Sequence, residues 1–599
     1  MKLYSGMSVA ISLPPHPTEI EAFAARELEK YLGKIFGSII FSTDADTQFA
    51  IGGPGRNVQA KGLVSEIEYT RKVSQDEGFL VQIEGNTAVL AGNGTGQLYA
   101  VYDFLERELD CCFGAFPLPQ VPAGEVIPTY QEKELPDIAY RKAADLPYRT
   151  AIVQFGEEAG EADLGLTVPF IDYLAKNRYN RILTWMGVYK KMVALGLPKE
   201  LTKRGIRLTV GHHQTLTTFL PFEGNEEFPT PYGKTHPEFF RLKEDGTRMT
   251  AVTRTHYGQW YLCSRNEECI EEMAKNINTW LARNPVVDTI ALWPNDGISP
   301  QCCCEKCAQY TKMENYLYFM NEVTKRLTGN NKVDVIAYRD LWSCPEGIKL
   351  NDKIIVDIAT WTPKGLRSVG KVDGGALLGG HICESLHDFH NAGCRTVLYE
   401  YYMGNYGNRQ AVMPAADEMQ SIFRYFKTEG FQGSGTQMEC FNLWNNIFNF
   451  YCFARTAFDT DLSLNRNIAD FTRLFGLGAE PVAEILRIYE QTLDGQVPIN
   501  ETAKFFAEHI DADAVYALFE KAFTLAEMPI HRNNLRLLRM AFRYTVLLQT
   551  NTEDARKELG AMATWFDSFK VNDPGYGIAI DVEYRNDRLA DDKWYQFEQ

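Results

Sequence analysis

Asp296, Glu400 and Glu439 are the acidic residues best placed to do chemistry. They sit in Trp293-Pro294-Asn295-Asp296-Gly297, Glu400-Tyr401-Tyr402 and Gln437-Met438-Glu439, each at the end of a short apolar run. Cleavage of a glycosidic bond needs one carboxyl to protonate the leaving oxygen and a second negative group to stabilise an oxocarbenium-like centre. The apolar neighbours Met438 and Cys440 favour a raised pKa at Glu439, which suits a general acid. Each residue also has a structural reading. Asp296 before Gly297 can set an Asx turn, Glu400 can be satisfied by a nearby arginine, and Glu439 can be a buried carboxylate paired with Arg455. Polar and aromatic residues at comparable run ends are candidates for binding a sugar: His212, His213, Trp293, Asn295, Arg339, Trp361, Tyr401 and Tyr402. Adjacent side chains on an extended strand point to opposite faces, so one of the two histidines is expected to face a cleft.

A second constellation is Cys302-Cys303-Cys304-Glu305-Lys306-Cys307, which contains C-x-C-x-x-C. Compact thiol spacing of this kind holds structural zinc, and Cys302, Cys304 and Cys307 with Cys263 as a remote fourth ligand make the expected set. Cys303 is a rival, although neighbouring side chains rarely chelate together. A metal-free thiol cluster or a disulfide is the alternative. The loop follows closely on Asp296, so a bracing role is expected of it, and no cofactor is expected for catalysis. The chain has 13 cysteines, an odd number, and begins without a cationic, apolar leader. Reduced thiols and a cytoplasmic location are the expectation.

The elements that must position these residues follow from the apolar pattern. Candidate strands occupy 148–154, 180–185, 206–211, 287–293, 332–338, 353–359, 395–402 and 431–438; most are rich in β-branched or aromatic residues and most are preceded by an amphipathic stretch. Eight such units over about 300 residues predict a (β/α)8 TIM-type barrel, with its active site at the strand C-termini. The fold class is α/β, with the barrel over 140–443, an N-terminal α/β domain over 1–125 and a helical domain over 444–599. In the N-terminal part a helix is predicted from Glu19 to Ile35, ended by Gly37, and a hairpin is predicted around Gly85-Asn86. The turn Gly92-Asn93-Gly94-Thr95-Gly96 lacks the spacing of a phosphate-binding loop and reads as a tight turn before a packed helix. Helices are predicted over 482–493, 503–519, 535–550 and 552–566. A net charge of -17 and the lack of any basic run exclude nucleic acid as a partner. No apolar stretch reaches the ~18 residues of a membrane span. The sequence leaves open whether the chain is a monomer or a homo-oligomer.

The ordered motifs resemble a known family. Phe23-Ala24-Ala25-Arg26-Glu27-Leu28 and the segment Gly96–Glu106 are similar to the non-catalytic domain preceding family 20 hexosaminidase and α-glucuronidase barrels. Lys203-Arg204-Gly205-Ile206, His212-His213, His236-Pro237-Glu238-Phe239-Phe240, Tyr261-Leu262-Cys263-Ser264, Asn295-Asp296-Gly297 and the cysteine loop resemble the barrel family known as domain of unknown function 4838. Its relatives include the family 163 endo-β-N-acetylglucosaminidases. The resemblance implies a retaining hydrolase of an oligosaccharide containing β-linked N-acetylhexosamine, with the substrate's own acetamido oxygen as nucleophile. Asp296 would then orient the acetamide or act as acid, with Glu439 as the other catalytic carboxyl. Where hexosaminidases show Asp-Glu at the fourth strand, this chain has Asn295-Asp296. An α-glucuronidase-like hydrolase, with Arg339 or Arg254 receiving an acidic sugar, is the second expectation. A non-catalytic carbohydrate-binding barrel is the third.

Overall fold

Parallel strands rich in Val, Ile and Leu need cover on both faces, and closing them into a barrel ringed by helices provides it. The computed structural model describes the chain outside residues 67–68, 71–76, 116–120, 155–166, 214, 250–260, 295, 297–299, 339–340, 361–368, 373–374, 379, 404–410, 440–442, 494–501 and 568–599. For Gln154, Glu439 and Leu443, and for 369–372, 375–378, 380–381, 502–503 and 563–567, the backbone alone is described.

Among the described residues, eight short strands precede the barrel. β1 (Lys2–Tyr4) pairs antiparallel with β7 (Glu132–Glu134). The other six form one mixed sheet in the order β3-β2-β4-β6-β5-β8: β2 (Ser8–Ser12), β3 (Ile40–Phe41), β4 (Thr47–Ile51), β5 (Phe79–Glu84), β6 (Thr87–Gly92) and β8 (Ile138–Lys142). The hairpin expected at Gly85-Asn86 joins β5 to β6, with Glu84 opposite Thr87. The helix Glu19–Phe36 starts at a Thr18 capping box and ends at Gly37, whose φ of 73° suits glycine. Because β8 pairs with β5, the N-terminal sheet is completed beyond residue 125, after a stretch of sequence that carries Pro117, Pro119, Pro122, Pro128 and Pro136. The glycines of the Gly92–Gly96 turn serve close packing. A Cβ on Gly96 would lie 2.3 Å from the Gly78 carbonyl oxygen, and one on Gly92 would lie 2.2 Å from the Gly96 backbone.

The barrel strands are β9 (Tyr148–Gln154), β10 (Arg181–Thr184), β11 (Arg207–His212), β12 (Val287–Leu292), β13 (Lys332–Ala337), β14 (Ile354–Ala359), β17 (Arg395–Glu400) and β18 (Gly433–Glu439), all parallel and closed from β18 back to β9. All eight predicted runs are these strands. A small antiparallel hairpin, β15 (Val369–Val372) with β16 (Gly375–Leu378), lies between β14 and β17. The barrel interior is layered. Tyr148, Ile355 and Val397 pack at the bottom, and Ile152, Leu183, Ala291, Ile336 and Ala359 pack higher up, beneath Trp293, Tyr338 and Tyr399. Polar groups fill the space between. Arg181 donates to Thr209 Oγ1 at 2.6 Å and Thr289 Oγ1 at 2.8 Å.

After the barrel the chain is helical in its described residues. The predicted helix over 503–519 is two helices, Thr502–His509 and Ala512–Leu525, because Asp511 caps a new start by accepting the Ala514 N–H at 3.0 Å. The helices Ala479–Thr492, Pro529–Leu548 and Glu553–Asp567 correspond to the other predictions. No described helix is long and apolar enough to cross a membrane.

Candidate active site

The C-terminal mouth of the barrel collects aromatic rings around His212, the last residue of β11. Its ring stacks on Trp185 at 4.4 Å between centroids with an 18° tilt, and lies 4.3 Å from Trp293, 4.6 Å from His213 and 6.5 Å from Tyr399. His212 is 3% exposed, and neither ring nitrogen has a hydrogen-bond partner among the described residues. Trp185 Nε1 is equally unpartnered. Burial, and then the neighbouring His213, hold the His212 pKa well below the usual 6.5, so the ring is neutral at pH 7 with one donor and one acceptor nitrogen.

Both histidines turn toward Trp293, contrary to the expectation that one would face away. The cause is backbone. Gly211, immediately before the pair, has φ of 128°, so strict strand alternation is broken there. The chain then turns at once, with the Thr215 hydroxyl bridging the His212 N–H and carbonyl at 2.7 Å each. His213 Nδ1 lies 2.6 Å from the Pro294 carbonyl oxygen, which ties the β11 and β12 ends together.

Trp293 is fully buried, and its indole N–H donates to Asp334 Oδ1 at 2.8 Å inside the barrel. Asp334 and Asp357 form a buried carboxyl pair on adjacent strands. Burial pushes both pKa values up, Asp334 to about 6 and Asp357 well above the usual carboxylate value, with each carboxyl acting on the other. Above Ala291 the β12–β13 pairing ends, and the Tyr316 hydroxyl fills the gap by donating to the Leu292 carbonyl at 3.2 Å and accepting the Ile336 N–H at 3.1 Å. These bonds fix the floor from which Pro294 and Asp296 rise.

Asp296 is partly exposed at this rim. Glu400 ends β17, is 6% exposed, and accepts the Tyr401 N–H at 3.0 Å. Burial raises the Tyr401 hydroxyl pKa well above 10, and Tyr399, Tyr338, Asp296 and Glu400 raise it further, so both carboxylates act on that one hydroxyl. The Tyr399 hydroxyl donates to Gln437 Oε1 at 2.8 Å, linking β17 to β18 two residues before Glu439. Glu439 pairs in register with Gln154. Arg455, the structural partner weighed for Glu439, is committed to Glu106 and donates to Asn177 Oδ1 at 2.8 Å.

The structure thus gathers His212, His213, Trp293, Asp296, Glu400 and Tyr401. It does not gather Tyr402, whose ring packs against Phe453, 6.0 Å away, in the main core between barrel and helices. Strand alternation past Tyr401 sends Tyr402 outward. Asn295, Arg339, Trp361 and the Glu439 side chain lie outside the described residues. Trp185 and Tyr399 were missed as site residues. The signal for Trp185 was present, since it closes the second predicted strand.

Beside the β12 end, Cys263, Cys302, Cys304 and Cys307 bring their sulfurs within 4.8 Å of one another, while Cys303 is exposed with its thiol toward the Gln301 carbonyl.

The closed parallel barrel, with an α/β domain before it and helices after, has the architecture of glycoside hydrolase barrels. A GH138 enzyme targeting pectin rhamnogalacturonan II is similar with TM-score 0.52 and 10% identity over 94% of this chain and 91% of that one. BtGH115A, a GH115 4-O-methyl-α-glucuronidase with specificity for decorated arabinogalactans, is similar with TM-score 0.54 and 10% identity over 100% of this chain and 82% of that one. At such identities the likeness is one of fold. Residues 120–490, more than half of the chain, match the model for a domain of unknown function, DUF4838, and the chain belongs to that family. No curated protein matches it.

Proposed function

We propose that this chain is a retaining glycoside hydrolase acting on a β-linked N-acetylhexosamine in an oligosaccharide. One observation carries the reading. Among the described residues, three buried polar atoms have no hydrogen-bond partner, Trp185 Nε1 and both His212 nitrogens, and they sit among aromatic rings at the barrel mouth where Asp296 and Glu400 both act electrostatically on Tyr401. Leaving such atoms unpaired costs about 1–3 kcal/mol each, and a pyranose supplies what is missing. Its hydroxyls both donate and accept, matching a neutral imidazole, and its C–H face stacks on rings.

In the proposed reaction Glu439 protonates the glycosidic oxygen as the bond to the anomeric carbon breaks. The acetamido oxygen attacks that carbon, and Asp296 holds the acetamide N–H. Water then opens the cyclic intermediate, with Glu439 taking its proton, so configuration is retained. Glu400 adds negative charge beside Tyr401, and His213 supports the rim.

The test is turnover of an aryl N-acetyl-β-glucosaminide. Asp296→Asn and Glu439→Gln are each expected to lower kcat by about 10²–10⁴ with the fold retained by circular dichroism. Wild-type rates in both variants would end the assignment. A second reading has one observation in its favour: the likeness to the α-glucuronidase BtGH115A spans the whole chain. Release of glucuronic acid from glucuronides, with hexosaminides left intact, would replace the first reading with this one.

A further inference from the structure

We propose that Cys263, Cys302, Cys304 and Cys307 bind one zinc ion as a closed tetrathiolate that braces the β12 end of the site. The geometry suits such a site. A tetrahedron with Zn–S bonds of about 2.3 Å has sulfur–sulfur edges of about 3.8 Å. Cys263 Sγ lies 3.6 Å from Cys304 Sγ and 3.9 Å from Cys307 Sγ, and all four sulfurs fall within 4.8 Å of one another. A disulfide would need about 2.05 Å, and all four cysteines are free. Cys263, Cys302 and Cys307 are at most 5% exposed, packed with Leu242 and Cys304.

The backbone is arranged around the sulfurs as a metal site requires. The Leu242 N–H donates to Cys302 Sγ at 3.3 Å, and the Cys303 N–H returns to the Leu242 carbonyl at 2.9 Å. The Cys263 N–H donates to the Phe239 carbonyl at 2.8 Å, and Asn315 Nδ2 holds the Cys307 carbonyl at 2.9 Å. Three distant stretches, 239–242, 261–264 and 302–307, therefore meet at the cluster. Binding converts four thiols to thiolates and releases four protons, leaving a net charge of -2 on the site. Thiolates select soft ions, and zinc binds such donors more tightly than ferrous iron. Four protein ligands leave no open position, so the ion's role is structural.

The experiment is metal analysis and zinc-edge X-ray absorption on the full chain, purified without a metal-binding tag. One zinc per chain with four sulfur neighbours at about 2.3 Å is expected. Cys304→Ser is expected to lose the zinc and Cys303→Ser to retain it. If Cys304→Ser fails to fold, the wild-type measurement decides alone. Folded wild-type protein without zinc and with these thiols open to a thiol reagent would overturn the proposal. So would iron in place of zinc, or the mass deficit of a disulfide. None of these readouts depends on hydrolase activity.

Discussion

At the residue scale, His212 has the most to reveal. Its folded pKa is depressed, so the unfolded chain takes up a proton near pH 6.5 while the folded chain does not. The unfolded state therefore binds more protons below that pH, and stability falls as pH drops. The limit is about 1.4 kcal/mol per pH unit for one such group. His212→Phe keeps the stack on Trp185 and removes the titration. Urea unfolding from pH 7.5 to 5 is expected to show a shallower loss for the variant than for wild type. An unchanged slope would mean that His212 protonates within the fold. If the proposed function holds, the same variant removes nitrogens that would meet a sugar hydroxyl, and kcat/KM on an aryl N-acetyl-β-glucosaminide is expected to fall about 10-fold or more, the equivalent of one hydrogen bond of about 1.4 kcal/mol.

At the element scale, the ends of β11 and β12 define the mouth. A Cβ on Gly211 would lie 2.1 Å from the Ala291 carbonyl oxygen at a φ that L-residues rarely adopt. Gly211→Ala is expected to cost about 2–3 kcal/mol by denaturant melt and to depress activity further by misdirecting both histidines. The Asp334–Asp357 pair underlies Trp293 with the opposite pH sign. These carboxyls have raised folded pKa values, so the folded state binds more protons than the unfolded one above pH 3.8, and this contribution to stability is lost as pH rises toward and through about 6. Asp334→Asn retains an oxygen for the Trp293 indole. The decline between pH 4 and 6 should flatten in the variant, with Trp293 fluorescence unchanged. A steeper decline would show that the pair is not the source.

At the scale of the whole molecule, buried arginines join the parts. Arg149 on β9 is fully buried and pairs with Glu77, while its guanidinium also donates to the Arg178 carbonyl at 2.7 Å and the Leu146 carbonyl at 2.7 Å. Arg178 reaches Asp103 at 3.3 Å, and Arg455 from the C-terminal helices pairs with Glu106, so the helix Gly96–Arg107 is held from two sides. Asn534 closes the circuit by accepting the Gly124 N–H at 2.8 Å. Arg149→Met leaves the Glu77 carboxylate to the Asn180 amide at 2.8 Å and to Arg207 at 3.7 Å, and is expected to cost about 3 kcal/mol, with Glu77→Gln in the same chain recovering part of it. Because one apolar core runs through all three parts, near- and far-ultraviolet dichroism are expected to report a single coincident unfolding transition. Separate midpoints would show that the N-terminal part melts on its own.

What could be read without coordinates was local in origin. Most barrel strands are visible because their Val, Ile and aromatic content is a property of a few consecutive residues, and Gly37 and Gly85-Asn86 mark turns by backbone preference alone. The thiol spacing of Cys302, Cys304 and Cys307 was equally plain, although Cys263 needed the fold to bring it close. The inward turn of both histidines, the outward turn of Tyr402 and the role of Trp185 were decided by tertiary structure. Gly211 combines a φ of 128° with an Ala291 carbonyl where a Cβ would lie, and β8 joins β5 because closing a sheet edge outweighs where the prolines fall. Periodicity places a residue on a strand; only contact with the neighbouring strand settles which way the chain turns where that strand ends.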